Sequence, residues 1–192
     1  LPQAIDLHFL SGKVRKAVFT ENHPTVLQTY LAIATSYLLL SDTKNASSYF
    51  FSCTKICRTV LSDIHPLTLE CANHFLKISE TLITTTRTET MTRREETLAI
   101  LITAYERQYG STSELVIQTR QLLAELYVSL KEEDKAIEVF RLIQEATIQH
   151  YGRNSHQAQD IEGHLNVVLG KGRGERRIDS YPFEMSGGQK QR

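Results

Sequence analysis

Tryptophan is absent from this 192-residue chain, and breakers are scarce: four prolines and nine glycines, much of the glycine lying from Gly163 onward. So few turn formers argue against short strands joined by frequent turns and for long helices. No charge of one sign dominates, because 22 Lys and Arg balance 22 Asp and Glu. Without a global basic field, a nucleic-acid partner is not expected. No apolar run reaches the roughly 18–20 residues that a membrane span needs. The longest, YLAIATSYLLL from Tyr30, is short and interrupted by Thr and Ser. Three cysteines build no disulfide framework and point to a reduced, cytoplasmic setting. In that setting the sequon Asn45-Ala46-Ser47 reads as chance. The opening LPQAIDLHFL has no basic stretch ahead of an apolar one, so it reads as the interior of a longer protein and not as a signal peptide.

What the chain does have is a repeat. Aligning His23 with Ser113 places Ala34 on Ala124, Tyr37 on Tyr127, Ala46 on Ala136 and Phe50 on Phe140. A turn-like lead-in recurs at 22–26, 64–68, 110–116 and 152–158, marked by His23, His65, Ser113 and Ser155 at separations of 42, 48 and 42 residues. The six extra residues fall in the Thr-rich stretch 80–90, predicting a longer loop or an extended helix end there. Each unit reads as two helices. Leu27, Leu31, Ala34, Tyr37 and Leu38 recur every three or four residues, as do Phe50, Cys53, Ile56, Cys57 and Val60 after a turn that Asp42 is placed to cap. In the later unit the sets are Leu115, Leu122, Leu123, Leu126 and Leu130, then Ile137, Phe140, Ile143 and Ile148. One such hairpin cannot bury both faces, so the units must stack.

This pattern resembles the tetratricopeptide repeat (TPR) in the long form, about 42 residues, of kinesin light chains. The lead-in G-x-x-H-P-x-V of that form is matched by His23-Pro24 and His65-Pro66, its L-A-x-x-Y by Ala34/Tyr37 and Ala124/Tyr127, and its A-x-x-x-[FY] by Ala46/Phe50 and Ala136/Phe140. The resemblance implies an all-α fold of about seven helices in antiparallel pairs, a right-handed solenoid over residues 1–169 with an irregular tail at 170–192. Residues 1–21 would be the second helix of a preceding repeat, 22–62, 63–109 and 110–151 whole repeats, and 152–169 the first helix of a truncated one. The second unit departs from the pattern, with Leu76, Ser79 and Arg94 where Ala, Tyr and a small Ala are expected. The implied function is non-catalytic protein or peptide binding by a scaffold. Gln28, Asn73, Gln118 and Gln121 are the first-helix polar positions placed to meet a peptide in the inner groove. Self-association through exposed repeat ends is also expected, as is a repeat domain regulating a larger signalling protein as an alternative.

The tail says something else. GKGRGERR (170–177) breaks the P-loop pattern and reads as a flexible linker. ERRIDSYPFEMSGGQKQR resembles the approach to the signature motif of ABC transporter ATPases, in which Ser186, Gly187, Gly188 and Gln189 would meet a nucleotide phosphate at a helix N-terminus. The chain has no Walker A sequence to go with it. A joined reading frame, a coincidence and a true repeat–ATPase fusion remain as explanations, the first preferred.

Other groups take ordinary roles at this level. Cys53, Cys57, Cys71 and His74 could form a zinc set only by converging, and their helical stripe favours core packing. His23 and His65 stand where an imidazole caps a helix, and no catalytic residue, metal or cofactor is expected. The mixed-charge runs MTRREE (91–96) and KEEDK (131–135) read as solvated surface.

Overall fold

The computed structural model describes residues 2–20, 23–82 and 87–179, which form eight α-helices and no strand. They are α1 (Pro2–Val18), α2 (Pro24–Leu39), α3 (Thr43–Val60), α4 (Pro66–Leu82), α5 (Arg87–Tyr109), α6 (Glu114–Leu130), α7 (Glu133–Tyr151) and α8 (His156–Asp179). The repeat predicts about seven helices; the described residues form eight, of which α2 with α3, α4 with α5 and α7 with α8 pack together. Two compact units divide within α6, Leu1–Thr119 and Arg120–Arg192.

Helix starts follow the repeat. His23 Nδ1 accepts from the Thr25 amide at 3.3 Å, with Pro24 next to supply the pre-set φ of a first turn. His65 Nδ1 does the same for the Leu67 amide at 3.2 Å, and Ser155 Oγ for the Ala158 amide at 3.2 Å. Asp42 caps α3 as expected, its carboxylate accepting from the Asn45 amide at 3.1 Å. The turns recur too. Ser41 and Lys131, eighteen residues after their markers, have φ of 60° and 61°, while Ser62, Gly110 and Gly152, three residues before theirs, have φ of 135°, 88° and 90°.

In the first unit α1 packs on α2, α2 on α3, α3 on α4 and α4 on α5. Its core includes Val26, Leu27, Ile33, Ala34, Phe50, Cys53, Cys57, Phe75 and Leu101. The expected single apolar face of α2 is a partial account. Val26, Thr29 and Ser36 are buried as well, whereas Leu38 is exposed. A first helix in a stack touches helices on two sides, so its buried positions exceed one stripe. The extra residues lengthen α5, which has 23 residues against 18 in α3 and 19 in α7. Arg94 is its eighth residue, while Ala46 and Ala136 are the fourth of theirs.

In the second unit α7 packs on α8, and Ile137, Phe140, Ile143, Ala158, Ile161 and Leu165 of these helices are buried. The linker expected after Leu169 is instead a continuation of α8, which stays helical from Gly170 through Arg177 to Asp179. No proline interrupts that stretch, and each interior glycine costs only about 1 kcal/mol against Ala, so helix-forming neighbours carry it on. Ser186, Gly187, Gly188 and Gln189 lie outside the described residues.

Candidate peptide-binding surface

Spacing on α3 builds a pocket in the first unit. Asn45, Ser48, Tyr49, Ser52, Lys55 and Ile56 lie on one stripe of that helix and, with Tyr30 of α2, line a cavity of about 570 Å³. Its lining holds two phenols, two hydroxyls, a carboxamide, an ammonium and an isoleucine, and no carboxylate. Asp42 holds Asn45 at the rim, its carboxylate accepting from Asn45 Nδ2 at 2.7 Å. Ile56 belongs to the core cluster of Leu27, Cys53, Cys57 and Cys71 and so joins the pocket to the interior.

Tyr49 is the wall where aromatics converge. Its ring lies 5.9 Å from Phe9, 5.7 Å from Tyr30 and 5.8 Å from Tyr37, the last pair stacked. Burial, then the neighbouring Tyr37 and Tyr30, push its phenol above the ordinary value; Lys16, whose Nζ is 5.2 Å from the Tyr30 ring, opposes that. Such a cluster presents rigid amphipathic surface with hydroxyls at its edge, the type of wall that peptide sites use. Lys55 Nζ pairs with Glu96 at 3.2 Å and stands 5.3 Å from the Phe51 ring, whose centroid Arg93 also approaches at 5.2 Å. Arg93 reaches Ser48 Oγ at 3.5 Å, so α5 braces the rim that α3 presents.

None of the first-helix polar residues lines this pocket. Gln28 is exposed on α2; Asn73 is exposed on α4 and donates to Tyr105 Oη at 3.2 Å. Gln118 is exposed on α6 and donates to Glu114 at 3.0 Å, and Gln121 is half-buried. The residues that periodicity missed sit on a second helix. Their signal is the stripe of Asn45, Ser48, Tyr49, Ser52 and Lys55 at spacings of three and four residues on α3, which the polarity of first helices does not reveal.

Two other predicted groups are resolved by packing. Cys53, Cys57 and Cys71 are buried free thiols, and His74 stacks on Phe50 with centroids 5.0 Å apart. Among the described residues no group of His, Cys, Asp and Glu is arranged to hold a metal ion. The Cys57 thiol is pushed up by its hydrogen bond to Cys71 and by burial, and Cys71, bonded to Cys53, is pushed up to about 12. Arg94 corrects the solvated reading of the 91–96 run: it is 7% exposed and donates to Ser79 Oγ at 2.8 Å and to the Leu76 carbonyl at 3.1 Å.

No protein-family model matches the chain, and no curated protein matches it significantly. Solved structures do. A Podosopora anserina kinesin-light-chain candidate with nearly identical TPR-like repeats superposes with a TM-score of 0.58 at 14% identity, over 92% of this chain and 81% of that one. The fold is that of TPR-like helical repeats. BtubC (BKLC) from P. vanneervenii matches with a TM-score of 0.53 at 17% identity, over 97% of this chain and 83% of its own. At these identities the likeness carries the fold alone.

Proposed function

We propose that this chain is a non-catalytic, cytoplasmic protein-binding scaffold that holds a peptide segment of its partner on the helical repeats. The observation that carries the reading is the α2–α3 pocket: an aromatic wall, hydrogen-bonding groups at helical spacing and a cation on one preformed surface. Repeat arrays present such surfaces along consecutive units, so affinity is spread over several of them, with exposed Gln28, Asn73 and Gln118 and half-buried Gln121 as contacts outside the pocket. No helix among the described residues is long and apolar enough to cross a membrane. The test is selection of binders from a random peptide display library on the whole chain, followed by titration on Tyr49→Ala and Lys55→Glu variants. Selected peptides should lose about tenfold or more in affinity on these variants, a difference of about 1.4 kcal/mol. Failure to select any peptide, or selection of peptides indifferent to both substitutions, would overturn the pocket as the binding surface.

A further inference from the structure

Behind the pocket lies a cluster of thiols that the peptide reading does not use. Cys53 and Cys57 stand one helical turn apart on α3, and Cys71 meets them from α4. The three are 0%, 0% and 1% exposed, and all are free thiols. The Cys71 thiol is hydrogen-bonded to both of the others, so it belongs to every pairing that joins the two helices.

The same cluster backs the pocket. Leu27, Cys53, Ile56, Cys57 and Cys71 make one buried group, with Tyr30 packed against it. Ile56 and Tyr30 also line the pocket. A movement of the thiols therefore reaches two lining residues within one layer of side chains. Interiors packed to crystal-like density transmit such strain.

We propose that Cys71 is a site of oxidative modification, forming a disulfide with Cys57 or Cys53 that staples α4 to α3 and weakens binding at the pocket. The effect on binding rests on the peptide reading above; the thiol chemistry does not. The co-reactant is a small peroxide. One thiol sulfur attacks the O–O bond and becomes a sulfenic acid, releasing a water. The neighbouring thiol then attacks that sulfur, the S–S bond forms and a second water leaves. Each sulfur loses one electron, each peroxide oxygen gains one, and the two thiol protons end in the two waters.

Burial acts differently on the two steps. It slows the first, because Cys57 and Cys71 hold their protons and peroxide reaches them only when α4 opens locally. It favours the second, because the partners already touch. Closing the sulfurs to the roughly 2.0 Å of a disulfide draws the Cys53–Cys57 turn of α3 toward α4. Ile56 rides on that turn and withdraws from the pocket.

The test treats the reduced whole chain with hydrogen peroxide. Peptide mapping by mass spectrometry should find Cys71 joined to Cys57 or Cys53 within one chain, and the Ile56 methyl NMR resonance should shift with the same time course. Peptides selected on the reduced chain should bind about fivefold or more weakly after oxidation, and dithiothreitol should restore them. Cys71→Ala should abolish all of these changes, and the mapping on the unaltered chain stands even where that variant folds poorly. Sulfinic or sulfonic acids alone, or bridges only between chains, overturn the proposal. So does a bridge that leaves the Ile56 resonance or the affinity of selected peptides unchanged. A bridge with a shifted Ile56 resonance, on a chain from which no peptide can be selected, supports the thiol site and overturns the peptide reading instead.

Discussion

Arg94 of α5 donates to Ser79 of α4 at 2.8 Å, and these are two of the three residues, with Leu76, at which the repeat at 63–109 departs from the pattern. Elsewhere the register pairs a tyrosine with a small alanine, Tyr37 with Ala46 and Tyr127 with Ala136. Here the large side chain has changed sides: serine replaces the tyrosine and arginine replaces the alanine. Ser79 Oγ also donates to the Leu76 carbonyl at 2.8 Å, so it keeps a partner without Arg94.

That arrangement predicts opposite results for two replacements of one residue. Arg94→Ala empties the space and should destabilise the fold by about 2–4 kcal/mol, as large-to-small core changes do. Arg94→Met keeps the volume and removes a buried cation whose Nε has no hydrogen-bond acceptor, with Glu80 only at 3.9 Å. It should be neutral or stabilising by roughly 1 kcal/mol, as apolar replacement of buried ions often is. Urea melts of both variants decide; equal losses would mean that the guanidinium bonds themselves stabilise the junction.

Alkaline pH should unfold the first unit through its thiols. Folding raises Cys57, through its bond to Cys71 and burial, and raises Cys71 from an ordinary 9.0 to about 12. A raised folded pKa means that the native state holds the proton more tightly. Its contribution to stability is therefore fully present below about pH 9 and is lost as pH rises toward 12. Urea midpoints should fall across that window, with thiolate absorbance appearing only as the helices melt. Thiolate signal in the folded protein near pH 9 would show that the burial does not hold the protons.

The left-handed turn positions predict a gain and a loss. Lys131 adopts φ of 61° with a side chain, so Lys131→Gly should stabilise by about 0.5–1 kcal/mol. Gly152, at φ of 90°, has open space where a Cβ would sit, so Gly152→Ala should lose about 1–2 kcal/mol from backbone strain alone. Thermal melts of the two single variants in parallel check both signs.

The helix pairs and the caps were legible because they depend on local spacing and on residue types at helix starts: His23, His65 and Asp42 behave as their positions imply. The size exchange between Ser79 and Arg94 was visible only as two separate anomalies, since sequence spacing does not say that residues on successive helices meet. The pocket was missed for a related reason. Tyr49 looks like one more apolar position on α3 until Phe9, Tyr30 and Tyr37 arrive from two other helices to make it a wall. The Gly-rich run was misread because glycine weakens a helix without stopping it.

The lengthened α5 has a consequence for any ligand lying along the units. Identical modules offer a bound segment equivalent seats, so it can slip by one module with little change in energy. Four residues ahead of the common start of the second helices, roughly 6 Å of helix, set α5 apart from α3. A partner that contacted this extra turn in the first unit would have one placement that a shift by a module does not reproduce.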